Sequence, residues 1–163
     1  MITTTLNRIR KHSPCQDGWE KLLNGLGKTK ADAEPLPFAT IVKINGLDDA
    51  LWCCRVEPQY AKEWRLFAVT CARRVQHLNT DPRVKNAIDV AERHANGQAT
   101  DEELRTAAEG AARAAACAAA RAAACEAAWA AARAAWDAAG EAAWAAEREW
   151  QKQEFLRVIT ETE

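Results

Sequence analysis

The residue types that a soft metal ion selects gather in the first third of the chain. His12-x-x-Cys15 and the adjacent pair Cys53-Cys54 offer up to four imidazole and thiolate donors, provided the N-terminal arm folds over the helix carrying the pair. Adjacent cysteines on a helix diverge, and no Cys-x-x-Cys occurs, so the spacing does not describe a standard zinc site. A Cys71/His77 nucleophile pair fails on geometry, because six residues along a helix turn the two side chains about 120° apart. There is no Gly-x-Gly-x-x-Gly or Walker-type run and no Gly-x-Ser-x-Gly elbow, and Ser13 is the sole serine. The carboxylate groups Asp48-Asp49 and Asp101-Glu102-Glu103 sit where helices begin, a position that favours negative charge for structural reasons alone. The expectation is a protein that is not an enzyme and carries no metal or cofactor.

Recognition chemistry is better represented. Arginine for phosphate and tryptophan for a base would make Arg55, Arg73, Arg74 and Trp52 a site that sequesters a small nucleotide-type ligand. The same residues, with Asp48, Asp49 and Arg93, form the mixture of aromatic and charged groups typical of protein-interface anchors. Asp81, Asp89 and Glu92 are acidic neighbours enough for Arg55, Arg65, Arg73, Arg74, Arg83 and Arg93 to make internal ion pairs, and a solvated, paired face is the competing reading. Direct nucleic-acid binding is disfavoured by a net charge of −1. The expected partner surface is therefore Asp48, Asp49, Trp52, Arg55, Arg73, Arg74 and Arg93, directed at another protein.

These side chains must be positioned by helices. All five prolines (14, 35, 37, 58 and 82) fall at or before the midpoint of the chain. Ser13-Pro14 reads as a helix start, followed by an apolar face of Trp19, Leu22, Leu23 and Leu26 that Gly25 and Gly27 terminate. Lys28 to Pro37 reads as a linker. Phe38 to Ile44 suits a strand or a short buried helix, and helix is preferred because no partner strand is visible. Asp48 or Asp49 is expected to cap a short helix from Ala50 to Val56. The next helix spans about Tyr60 to Leu78, with Trp64, Phe67, Cys71, Val75 and Leu78 on one face. Asp81-Pro82 opens another, with Val84, Ile88, Ala91 and Ala95 inward and Gly97 at its end. Thr100 with Glu103 is a capping box opening the last segment.

From Ala107 to Ala146, 26 of 40 residues are alanine, the strongest helix former. Trp129, Trp136, Trp144 and Trp150 fall within about a third of the helix circumference, with Cys125 among them and Arg133 as the polar intruder. A helix over 101–150 would run about 75 Å, longer than the roughly 35–40 Å diameter of a globule of this length, unless it breaks at Gly110 or Gly140. A projecting helix would leave Trp136, Trp144, Trp150 and Phe155 in water, so these residues are expected to form a homodimer interface. A monomeric helical hairpin is the alternative. The fold expected is all-α, a helical bundle with a long alanine-rich C-terminal helix. It is read as a single domain, with residues 1–37 an N-terminal helix and linker, 38–100 a helical core and 101–163 the long helix.

With 28% charged and 48% apolar residues, the chain is neither a disordered nor a membranous composition. Arg113, Arg121, Glu126, Arg133 and Asp137 interrupt the alanine tract too often for a membrane span. No secretory signal precedes Arg8, Arg10 and Lys11, and the six cysteines are read as reduced thiols of a cytoplasmic protein. Residues 1–100 carry a net +4 and residues 101–163 a net −5, a modest asymmetry that attraction between the halves, within one molecule or between copies, and a solvated face explain about equally well.

Four ordered stretches carry a family resemblance. They are Leu47-Asp48-Asp49-Ala50-Leu51-Trp52-Cys53-Cys54-Arg55, then Arg65-Leu66-Phe67-Ala68 with Cys71-Ala72-Arg73-Arg74-Val75. Asp81-Pro82-Arg83 follows, then Ala87-Ile88-Asp89-Val90-Ala91-Glu92-Arg93 with Gly97, and the Ala/Trp/Arg helix closes the series. Together they resemble the immunity proteins of bacteria and prophages of the immunity-5-like group, over about residues 45–150. The opening His12-Ser13-Pro14-Cys15-Gln16-Asp17-Gly18-Trp19 resembles the phage-borne branch. Cys54 stands where the group's Trp-Cys-Leu-Arg segment has leucine. The resemblance implies a small, all-helical, non-enzymatic protein that binds and neutralises another protein, either a toxin or, for a phage gene, a host defence component, as an anti-CRISPR does. It implies no catalytic residues.

Overall fold

The computed structural model describes the backbone of residues 1–78, 81–125 and 130–162, with side chains throughout these except at 75, 78 and 115–139. The described residues form an all-α fold with one small strand pair, and close on a long C-terminal helix. They group into two compact units: Met1–Ala61 with Lys152–Glu163, and Lys62–Gln151.

The first unit begins with β1 (Thr3–Thr4), which pairs antiparallel with β2 (Leu36–Pro37), Thr3 opposite Pro37 and Thr4 opposite Leu36. The stretch read as a linker thus supplies a strand, too short for alternation to reveal. Helix α1 (Leu6–Lys11) is N-capped by Thr5, whose hydroxyl accepts from the Arg8 amide. Helix α2 (Gln16–Gly25) starts two residues later than Ser13-Pro14 suggests. Its N-cap is Cys15, whereas Ser13 takes φ +54° and its amide donates to the Arg10 carbonyl. Ser13 therefore closes α1, and α2 opens without a side-chain cap. Its apolar face holds, with Trp19 and Leu22 buried.

Helix α3 (Phe38–Asn45) resolves the strand-or-helix ambiguity as helix. Phe38, Ile41 and Val42 are buried at helical spacing, and that burial outweighs the modest helix penalty of β-branched residues. Gly46, at φ +98°, turns the chain directly into α4 (Leu47–Cys53). Gly46 is also the N-cap, with no side-chain capping hydrogen bond, and Asp48 and Asp49 are residues of the first turn, which corrects the sequence expectation. Short 3₁₀ turns follow at Cys54–Val56 and Pro58–Tyr60. Beneath them Glu57 is wholly buried. Arg8 Nη1 lies 2.8 Å from its carboxylate, and Arg8 Nη2 donates to the Val56 carbonyl. The core is made by Ile2, Leu6, Ile9, Phe38, Ile41, Val56, Phe155 and Ile159, all essentially inaccessible.

Helix α5 (Ala61–Val75), which belongs to the second unit from Lys62 onward, continues into a 3₁₀ turn at Gln76–Leu78. It is followed by α6 (Pro82–Ala95), α7 (Asp101–Cys125) and α8 (Ala130–Glu161), whose C-terminal end belongs to the first unit. Phe67, Val69, Ile88, Val90, Ala95, Ala107 and Ala114 are buried here. Two caps lie where sequence places them. Asp81 accepts from the Arg83 amide ahead of Pro82. Thr100 and Glu103 bond reciprocally, Thr100 Oγ1 accepting from the Glu103 amide and Glu103 Oε2 from the Thr100 amide. Gly97, at φ +71°, ends α6. His94 sits between α5 and α7, its ring nitrogens 2.6 Å from Arg65 Nη1 and 2.6 Å from Asp101 Oδ1. Among the described residues, no helix is long and apolar enough to cross a membrane.

The tryptophan stripe divides. Trp144 is 68% exposed. Trp150 is half-buried under the guanidinium of Arg74. Phe155 is fully buried in the first unit, its ring centroid 6.3 Å from that of Phe38. It belongs to a core and not to an exposed stripe, because the end of α8 packs its 155 and 159 face inward. The side chains of Cys117, Arg121, Cys125, Trp129, Arg133 and Trp136 lie outside the described residues. So does the stretch 126–129, on which the choice between one helix and a hairpin rests.

Candidate functional site

The seven residues expected to meet a partner divide between the two units. Asp48, Asp49, Trp52 and Arg55 belong to the first, on α4 and the turn after it, at spacings that keep them close. Arg55 is exposed, and its Cζ lies 4.7 Å over the half-buried Trp52 ring. Its Nε donates to the Trp52 carbonyl at 3.0 Å, so the guanidinium is held rather than free to sweep solvent. Asp49 is fixed from α3: Asn45 Nδ2 donates to Asp49 Oδ2 at 2.7 Å and to the Gly18 carbonyl at 2.8 Å. Both amide hydrogens meet acceptors, which settles the orientation of the Asn45 amide and leaves its Oδ1 buried without a partner.

Arg73, Arg74 and Arg93 belong to the second unit and are engaged there. Arg73 bridges Asp89, at 2.9 Å, and Glu92. Its hydrogen bond to Glu92 raises its already high pKa further. Arg74 Nε donates to Glu147 at 2.8 Å, and its Cζ lies 4.3 Å above the Trp150 ring. Arg93 stands 3.8 Å from Glu103. The competing reading of these arginines as an internally paired face therefore describes them well. A nucleotide site would have to take Arg73 and Arg74 away from carboxylates they already hold.

The candidate metal donors do not assemble. His12 bonds through Nδ1 to the Arg8 carbonyl, Cys15 is exposed, and Cys53 is buried while Cys54 Sγ donates to the Ala50 carbonyl. Among the described residues, no group of three or more His, Cys, Asp or Glu side chains is placed to hold a metal ion. Burial, reinforced by the negative charge of Asp49, pushes the Cys53 thiol up to about 12. Burial beside Cys53 pushes Cys54 to about 12 as well. Neither is a nucleophile near neutral pH.

Asn45 and Gly18 are the positions that sequence reasoning missed. A Cβ at Gly18 would stand 2.9 Å from Asp49 Oδ2, so the only glycine inside α2 away from its end marks the close approach of α4. A glycine amid helix-forming residues was the available signal. Comparison with protein-family models, with curated proteins and with solved structures returned no match for the chain.

Proposed function

We propose that the chain is a non-catalytic inhibitor that binds one protein partner stoichiometrically through the face of α4. The observation that carries the reading is the fixed group of Asp49, Trp52 and Arg55, with Asp48 exposed beside it. A tryptophan with a clamped arginine and an immobilised carboxylate loses little side-chain entropy on association, which is what makes such groups effective anchors. The resemblance to immunity proteins supports the same class, with a bacterial toxin or a defence component attacked by a phage as the partner. Arg73, Arg74 and Arg93 enter this reading as scaffold.

Affinity capture from the native host and from phage-infected cells, followed by titration of the captured protein, tests it. The expected outcome is a partner bound at fixed stoichiometry and weakened at least tenfold by Trp52→Ala, the scale of a hot-spot residue. Failure to recover such a partner in both contexts, or binding untouched by Trp52→Ala and Arg55→Ala, overturns it. We also propose self-association through the exposed Trp144 of α8, whose ring is met by Arg148 at 5.8 Å. Light scattering at tens of micromolar decides that point. A mass near that of one 17.9 kDa chain sinks the dimer, and Trp144→Glu dissociates it if it forms.

A further inference from the structure

Beside the proposed anchors is a cleft of about 160 Å³, walled by Ile9, Leu22 and Ile41 and by the two tryptophans Trp19 and Trp52. Cys53, the other wall residue on α4, is a neutral thiol and adds no charge. Asp49 is the one carboxylate lining it, and no Lys, Arg or His side chain does. Its Oδ2 is occupied by Asn45, and no cation pairs with it among the described residues. Each indole already carries an arginine over it, Arg10 on Trp19 at 5.4 Å and Arg55 on Trp52 at 4.7 Å, so the rings are walls and not vacant cation cages.

An apolar cleft with a single fixed carboxylate selects its guest by exclusion. A wholly apolar guest would strip water from Asp49 without replacing it, and an anion would be repelled. A guest with an aliphatic stem and a cationic head satisfies both parts. Arginine binds best where two carboxylate oxygens accept in parallel, but one oxygen of Asp49 is taken. A compact ammonium needs one. We infer that this cleft receives a lysine side chain of the partner protein, its methylenes against the apolar walls and its ammonium on Asp49. The inference rests on the proposed protein-binding reading and names what the partner contributes.

The test uses the full chain, ¹⁵N-labelled, titrated separately with n-pentylammonium, pentan-1-ol and pentanoate while the indole N–H resonances of Trp19 and Trp52 are followed. Saturable shifts are expected for the amine, with pentan-1-ol at least about tenfold weaker, the scale of one charge-assisted hydrogen bond, and none for pentanoate. Asp49→Asn reduces amine binding to the level of the alcohol. The ligand series needs no variant, so it stands even if Asp49→Asn fails to fold. An alcohol as tight as the amine, or no saturable shift of either indole, overturns the lysine cleft. A partner captured equally well by wild type and folded Asp49→Asn overturns the cleft and leaves the partner reading. Amine binding with no stoichiometric partner overturns the partner reading and leaves an amine site.

Discussion

Phe155 separates two ways of reading the C-terminal helix. An apolar stripe covered by a second copy makes Phe155→Ala a dissociating change that leaves the folded chain intact. The structure assigns the residue to the core of the first unit, with no exposed surface and the Phe38 ring 6.3 Å away at 60°. Truncating a fully buried phenylalanine costs about 3–5 kcal/mol in transfer and cavity terms. Loss of a tilted aromatic pair is part of that figure, about 1 kcal/mol of it. A destabilisation of about 4 kcal/mol is expected, against less than about 0.5 kcal/mol for Trp144→Ala on the exposed face. With a urea slope of about 1.5 kcal/mol/M, the first change lowers the midpoint by roughly 2.7 M. Since the chain has two units, the probe must report on the first. The Ile2 amide, which donates to the Ile159 carbonyl at 2.7 Å, does so by hydrogen exchange. A loss under about 1 kcal/mol at that amide, or an equal loss from Trp144→Ala, refutes the reasoning.

Thiol chemistry gives a second expectation. With Cys53 and Cys54 raised to about 12, only about one part in 10⁴ of either is thiolate at pH 8, and iodoacetamide with mass mapping should label the exposed Cys15 far ahead of both. Labelling of Cys53 at the rate of Cys15 defeats it. A third concerns acid. Hydrogen bonds from Arg157 hold the Glu154 carboxyl below its usual range, so its stabilisation is complete above an unfolded pKa of about 4.3 and disappears as pH falls through the lower folded value. The gap in Tm between wild type and Glu154→Gln should therefore close on acidification, and a gap constant down to pH 2.5 contradicts the assignment. Finally, Thr100→Ala removes the hydroxyl that accepts from the Glu103 amide and should cost about 1 kcal/mol. Unchanged exchange protection at Glu103 would show that the cap is idle.

The helices were legible wherever one local rule acted alone. Asp81 before Pro82, and Thr100 three residues before Glu103, each specify a helix start through contacts within the same turn, and both caps form. Ser13-Pro14 fails for a related reason: a short helix closes immediately before it, and Ser13 is drawn into that closing turn. Thr3–Thr4 and Leu36–Pro37 could not announce a strand pair, because two residues carry no periodicity. Phe155 was misplaced because its helical phase lies close to that of Trp144, yet phase does not reveal where along a helix a core begins. The α4 group was visible from Asp48, Asp49, Trp52 and Arg55 as residue types. Its rigidity was not, since it depends on Asn45 and Gly18 from two other helices, contacts of 4 and 27 residues in separation.

The first unit is assembled from both ends of the chain, with residues 1–61 completed by 152–163. During synthesis the early segment emerges with the place of Phe155 and Ile159 unfilled. A core that holds Phe155 and Ile159 cannot close until residues 152–163 have left the ribosomal tunnel. Lys62–Gln151 is contiguous in sequence and waits on no later segment. Bridging a flexible stretch of about 90 residues costs about 4 kcal/mol in closure entropy. Prior folding of the contiguous unit reduces that cost by removing the stretch's freedom beforehand. Vectorial synthesis thereby permits the order second unit before first. A nascent chain stalled short of residue 152 should expose α1 to α4 to chaperones and proteases while its middle is already protected.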